Sequence, residues 1–426
     1  MPALPALRER QIKAAGHLNA AMSSIRILGS LIWDEDHKKA FLKSGSLPKP
    51  QYEAVDLKAC FEHVKDARQL IENKGVVGEW LTRAAESIET TALMLGARGT
   101  AEFFTHSSKL YGVPTETLID RKTRVIDLAR HMDDTLNGLD VTNLVIDGYE
   151  KFIDAKEFAE RLRIQLDYHF DDARPAIKLV SDIPSKALAG SKRIRINKDA
   201  KFTLRDVDQL LQHEALIHVA TTLNGKRQSN FPLLGRAHAR VTEIQEGLAV
   251  FAEIISGAMD PRRFRRLADR VIAIQMSIDG ADFKEVFDYY RDCNNDPEVA
   301  YDNTRRIFRG GVISGGAPFT KDMVYLNGLL RVHNFMRTVV KLGRADLIRL
   351  IFVGKLDLED IPALANLVSE GLVERPKYMP PWAKDLRFLV SYMSYSGFLN
   401  QVKLPGFQAY YENAISDVPE LWGALG

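Results

Sequence analysis

A chain of 426 residues, 46% hydrophobic and 27% charged, is long enough to close a large core in one or two domains. Its 58 basic and 56 acidic residues leave a formal charge of +2, which calls for neither nucleic acid nor a membrane surface as a partner. Cys60 and Cys293 form no CxxC pair and no disulfide framework, and no apolar run reaches the ~18 residues of a membrane span. Charges interrupt the N-terminal stretch before any signal-like apolar segment, so the expected location is cytoplasmic.

Helical apolar spacing runs through residues 7–32, 54–73, 78–95 and 116–136, with Pro48, Pro50 and Pro114 in the turns between. Residues 1–170 read as an N-terminal helical region and 171–426 as the catalytic region. Two segments rich in β-branched residues follow, AIKLVSDI at 176–183 and KRIRIN at 192–197, expected as two small strands in a hairpin. Thr203, with Asp206 three residues on, marks a capped helix start. That helix should run through HEALIH at 213–218 to a C-cap at Asn224-Gly225. Helical patterns return at 240–256, 261–278, 282–291, 322–342 and 359–370. The stretch 376–405 is a turn-rich lead into one more helix. The expected fold is mainly α with a small β element.

The segment HEALIH carries the chemistry. Zinc takes neutral imidazoles and carboxylates in a tetrahedral site with one position open. The common zincin helix spaces its two histidines four apart, on one face. His213 and His218 are five apart, which in a regular α-helix separates them by about 140°. A π-type turn between them would bring both to one ion. Glu214, beside the first histidine, is placed to take a proton from the attacking water and pass it to the leaving amine. The third ligand should come from the next helix, where Glu243, Glu246 and Glu253 stand; His238 is a rival. Glu246 points away from the apolar face of Val241, Ile244, Leu248, Phe251 and Ile255. Its neighbours Gly247 and Ala249 are small enough to admit another helix. KRIRIN, just before the motif helix, is where an edge strand could receive an extended substrate.

HEALIH together with FPLLGRAHARVTEIQEGLAVFAE at 231–253 resembles the flavohaemoglobin expression-modulating QEGLA motif proteins. That family is similar to the microtubule-associated tyrosine carboxypeptidases, which remove the C-terminal tyrosine of α-tubulin. Softer echoes lie at 97–114 and 305–328. The resemblance implies a zincin-like metallopeptidase with extra helices, one zinc per chain held by His213, His218 and Glu246, Glu214 as base, and carboxypeptidase activity. The substrate would be a peptide or protein C-terminus.

A carboxypeptidase needs a cation for the terminal carboxylate, and arginine meets it bidentately. Within the resembling segment Arg309 and Lys321 are the leading candidates, with Arg305 and Arg306 beside them and Tyr325 for the oxyanion. The run PRRFRRLADR at 261–270 reads as a solvated helix face, or else as a docking patch for an acidic tail. Two rival functions stand: an exopeptidase working from the N-terminus, like dipeptidyl peptidase III, and a zinc-stabilised regulatory protein without catalysis.

Overall fold

The computed structural model describes residues 4–139, 151–181, 183, 186–190, 192–294, 296–399, 410–411 and 413. Its opening helix, α1 (Leu4–Ser24), is shorter than the 7–32 pattern. Ser23 and Ser24 stand in its last turn, their hydroxyls donating back to the carbonyls of Asn19 and Ala21. The helices α2 (Glu35–Ser44), α3 (Lys58–Leu70) and α4 (Gly75–Gly96) follow. Small residues let α1, α3 and α4 pack closely: Ala14, Ala15 and Ala21, then Cys60 and Ala67, then Ala84 and Ala85 are all buried in one core.

After α5 (Ala101–Tyr111), the helix expected from 116 begins only at Val125, as α6 (Val125–Asn137). The Asp120 carboxylate accepts from the amides of Lys122 and Thr123, forming an Asx-type turn that holds this stretch out of helix.

The β element has two parts. The short strands β1 (Phe152–Ile153) and β5 (Phe202–Thr203) pair antiparallel across α7 (Ala155–His169) and a three-stranded sheet. In that sheet β2 (Ala176–Val180) and β4 (Arg193–Asn197) are parallel neighbours, and β3 (Ala187–Gly190) adds antiparallel to β4. The hairpin expectation is therefore corrected: the two expected strands run the same way, with a third between them in sequence. KRIRIN lies at the centre of the sheet, not at its edge. Its alternation places Ile194 and Ile196, both fully buried, in a core with α7 and the motif helix. The strand beside the motif helix is β3, whose sequence ALAG lacks β-branched residues and gives little strand signal.

The motif helix α8 spans residues 204–226. Thr203 and Asp206 form the reciprocal capping box at its start. Gly225 does not end it in a left-handed cap; the helix continues to Lys226. Glycine is needed there because a Cβ would sit 2.1 Å from the Leu234 carbonyl oxygen. The next helices are α9 (Ala239–Ile255), α10 (Pro261–Ile278), α11 (Phe283–Asn294), α12 (Pro297–Phe308) and α13 (Val324–Lys341). The pair α9 and α13 cross at Gly247 and Gly328, where a Cβ on Gly247 would lie 2.1 Å from the Gly328 carbonyl carbon. Only a glycine pair permits that approach. Helices α14 (Ile361–Ser369) and α15 (Arg387–Leu399) follow, and residues 400–405 of the expected last segment lie outside the described ones. No helix among the described residues is long and apolar enough to cross a membrane.

Candidate metal centre

Within α8, residues Leu211–Val219 form a π-helix, flanked on both sides by regular α-helix. Its wider turn returns the chain to the same face after about five residues, so the five-residue spacing becomes usable. The His213 and His218 rings meet edge to face with centroids 4.9 Å apart. Glu246 arrives from α9: its Oε2 is 3.5 Å from His213 Nε2 and 3.6 Å from His218 Nε2. A tetrahedral ion with bonds of about 2.0–2.1 Å has ligand–ligand edges of about 3.3–3.4 Å. The three donors therefore stand nearly at coordination spacing, and this donor set suits zinc. Glu243 takes another path, to Arg331 at 2.5 Å, and His238, at the N-cap position of α9, is not among the converging donors.

The surroundings hold these side chains in place. Burial opposes ionisation of Glu246, yet Lys321, His213 and His218 hold its carboxyl well below the usual range. Lys321 Nζ lies 3.7 Å from Glu246 Oε1. Behind His213, its Nδ1 meets Glu253 Oε1 at 2.5 Å, so Nδ1–H donates to a carboxylate and Nε2 is the ring nitrogen that faces Glu246. Glu253 is fully buried and is clasped in turn by Arg263 of α10, two nitrogens to two oxygens. Burial lowers the His213 pKa, but Glu246 and Glu253 outweigh it and push it up to about 10 without an ion. A pocket with that preference favours positive charge.

On the other side, Gln245 ties α8 to α9. Its Oε1 accepts from Thr221 Oγ1 at 2.8 Å and from Lys355 Nζ at 2.9 Å. Lys355 is buried, and burial pushes its amine down to about 8 against the pull of Glu246 and Glu214. The QEGLA residues thus divide the labour: Gln245 locks the helix pair, Glu246 faces His213 and His218, and Gly247 lets α13 approach.

Glu214 lines a cleft of about 300 Å³ together with His213, Arg263, Arg270, Arg306 and Tyr325. Lys186 and Ala187, at the start of β3, form part of the same wall. Arg306 grips Asp322 bidentately at 2.7 and 2.8 Å and donates to the Tyr325 hydroxyl at 3.4 Å. The Arg270 guanidinium stacks 4.2 Å from the Tyr325 ring centroid. Of the other expected residues, Lys321 faces Glu246. Arg309 stands outside the cleft lining, near the Phe319 ring, and its pKa is pushed down to about 10 by burial and then by Arg306. Arg305 is engaged by Glu35 at 3.0 Å and Asp302 at 2.9 Å.

Three residues at this site escaped the sequence reading: Glu253 as partner of His213, and Arg263 and Arg270 as cleft residues. The last two belong to the run taken for a solvated face or docking patch. Their signal was periodic: 263, 266, 267, 270, 271 and 274 form one helical face, with Leu267, Val271 and Ile274 buried. Arg265 points elsewhere, to Asp133 at 3.3 Å.

Residues 39–401 match the family model described as microtubule-associated tyrosine carboxypeptidase. No curated protein matches the chain.

Proposed function

The chain belongs to the microtubule-associated tyrosine carboxypeptidase family, and from that premise we propose that it is a zinc-dependent carboxypeptidase removing the C-terminal residue of peptides or proteins. The observation carrying this reading is the π-turn of α8, which aligns His213 and His218 with Glu246 while Glu214 faces an arginine-lined cleft. His213, His218 and Glu246 would hold one zinc ion. When bound, zinc would supply Lewis acidity, favouring ionisation of water and polarisation of a carbonyl.

The protein's own residues account for the rest. Glu214 accepts a proton from the attacking water as its oxygen bonds to the scissile carbonyl carbon. It returns that proton to the amine nitrogen as the C–N bond breaks. Tyr325, held between Arg306 and Arg270, can donate its hydroxyl hydrogen bond to the developing oxyanion. The terminal carboxylate of the substrate falls to the cleft guanidiniums Arg306 and Arg270, which share the single carboxylate of Asp322 and so keep a net positive charge. Arg309 and Lys321 lie outside the cleft lining, Lys321 faces Glu246, and Arg305 is engaged by Glu35 and Asp302. Strand β3 offers its edge to the substrate main chain. The presence of a carboxylate base beside an open cleft favours catalysis over a purely structural metal, which usually closes all four positions. We place the reaction in the cytoplasm, without nucleic acid or membrane as partner.

The test is direction of attack. Peptides with a free C-terminal carboxylate should lose one residue at a time, and aromatic ends are the first to try. Their C-terminal amides carry no charge for the cationic cleft to hold and should be turned over far more slowly. N-terminal acetylation should change little. Turnover blocked by acetylation and indifferent to amidation would transfer the reading to an exopeptidase acting from the N-terminus.

A further inference from the structure

A second histidine–carboxylate cluster lies among the described residues, away from α8 and α9. His17 of α1 faces His63 of α3, with their Nδ1 atoms 3.4 Å apart. Asp66, three residues after His63 and on the same face of α3, brings its Oδ2 to 3.8 Å from His17 Nδ1. All three donor atoms fall within 4.8 Å of one another, the same limit that the His213, His218 and Glu246 donors meet. From these distances we propose that His17, His63 and Asp66 form a second site for a divalent transition ion such as zinc, which clamps α1 to α3.

The geometry has two parts. First, 3.4 Å is the tetrahedral edge expected for an ion bonded at about 2.0–2.1 Å. As a hydrogen bond between two imidazoles it is long, 3.4 Å against the usual 2.7–3.2 Å of N–H···O bonds. Two lone pairs converging on one cation explain the approach better than one long N–H···N contact. Second, the donor set is the one the main site uses, two imidazoles and one carboxylate, which suits zinc, cobalt(II) or nickel(II) and not the oxygen-seeking magnesium or calcium.

The setting assigns the site a structural role. The His17 and Asp66 side chains are 35% and 50% exposed, so the ion would keep water in its remaining position or positions. Neither a cleft of arginines nor a buried second carboxylate surrounds them among the described residues. The two histidines stand at the rim of the seam where Ala14, Ala15 and Leu18 of α1 bury against Cys60, Val64 and Ala67 of α3. Helix α1 lies wholly before residue 39, where the family match begins. An ion there would therefore fasten a helix that lies outside the family-matched region onto one within it.

Zinc titration of chelator-stripped full-length protein by calorimetry decides the matter. Wild type should bind two equivalents, the second at least tenfold weaker because its ligands are exposed and less fixed. His63→Ala and His63→Gln should each bind one, and both should retain the tight equivalent. Glu246→Ala should lose the tight equivalent and keep the weak one. In that background zinc should still raise the melting temperature, and adding His63→Ala should abolish the rise. Where Glu246→Ala fails to fold, the His63 variants alone carry the comparison. One equivalent in wild type, or two in both His63 variants, overturns the proposal.

Discussion

The molecule presents one donor set twice, two histidines and a carboxylate, in two very different settings. At the inner cluster the His213 side chain is 8% exposed and Glu246 16%, and each has a charged partner behind it, Glu253 for one and Lys321 for the other. At the outer cluster the corresponding side chains are a third to a half exposed and project from two helix surfaces. Ligand identity and spacing are nearly matched. What differs is the shell: at the inner cluster a buried carboxylate holds the imidazole, an ion pair fixes that carboxylate, and the Glu214 side chain lines a cationic cleft. Binding an ion requires the first feature, converging donors. Doing chemistry with it requires the others, because electrostatic effects gain strength where water is excluded and the groups are already aimed.

The sharpest way to break the comparison is to remove the base and leave the ligands. Glu214→Gln should bind zinc as wild type does yet lose hydrolysis by ~10²–10⁴-fold, since an amide cannot accept water's proton. Metal analysis beside single-turnover assays reads both. An active variant would mean that the inner cluster owes its chemistry to something other than Glu214. Next in size is the support behind His213. Glu253→Gln keeps the shape but removes the charge that Arg263 and His213 share. Zinc affinity, measured by competition with a chromogenic chelator, should fall by about 10–100-fold. The weaker equivalent assigned to His63 should be untouched. An unchanged affinity would reduce Glu253 to a core ion pair.

How much of this was legible from residues alone follows from the range of each signal. The motif spacing is local, so the need for a π-turn could be argued from an angle of about 140° before any fold was known. The capping box at Thr203 and Asp206 is equally local. Gly247 could be flagged as small, but its partner Gly328 lies 81 positions on, and only the crossing of α9 and α13 joins them. Glu253 stands two turns beyond Glu246 on the same face of α9 and competed with it as a ligand; its bond to His213 depends on the ring orientation set by the π-turn. The arginines of α10 read as a solvated run because charge was weighed ahead of periodicity. Strand β3 escaped for want of β-branched residues, and so KRIRIN received the edge role. The outer cluster was illegible for the same reason as the glycine pair: His17 and His63 are 46 residues apart, and the docking of α1 on α3 alone unites them.

A second buried histidine supplies the smallest and most controlled test, because it shares the burial of His213 and lacks its carboxylates. His238 is 3% exposed, and its Nδ1 has no hydrogen-bond partner among the described residues. Burial and then Arg240 push its pKa down to about 4, against a weaker opposing pull from Asp357. His213, equally buried, is pushed the other way by Glu246 and Glu253. The sign for stability follows from the folded value lying below the ordinary 6.5. The neutral ring costs nothing above that pH. As pH falls from 6.5 toward 4, the unfolded chain takes up a proton that the folded chain refuses, and stability drops until both forms are protonated. At pH 5 the penalty is roughly 2 kcal/mol. His238→Asn keeps a residue favoured at the start of α9 and removes the titration. Urea midpoints measured from pH 7 to pH 5 should therefore fall less in His238→Asn than in wild type, with the two differing little in slope above pH 7. Parallel curves through that window would mean that His238 finds a proton acceptor in the folded protein, and that burial without a carboxylate does not by itself separate it from His213.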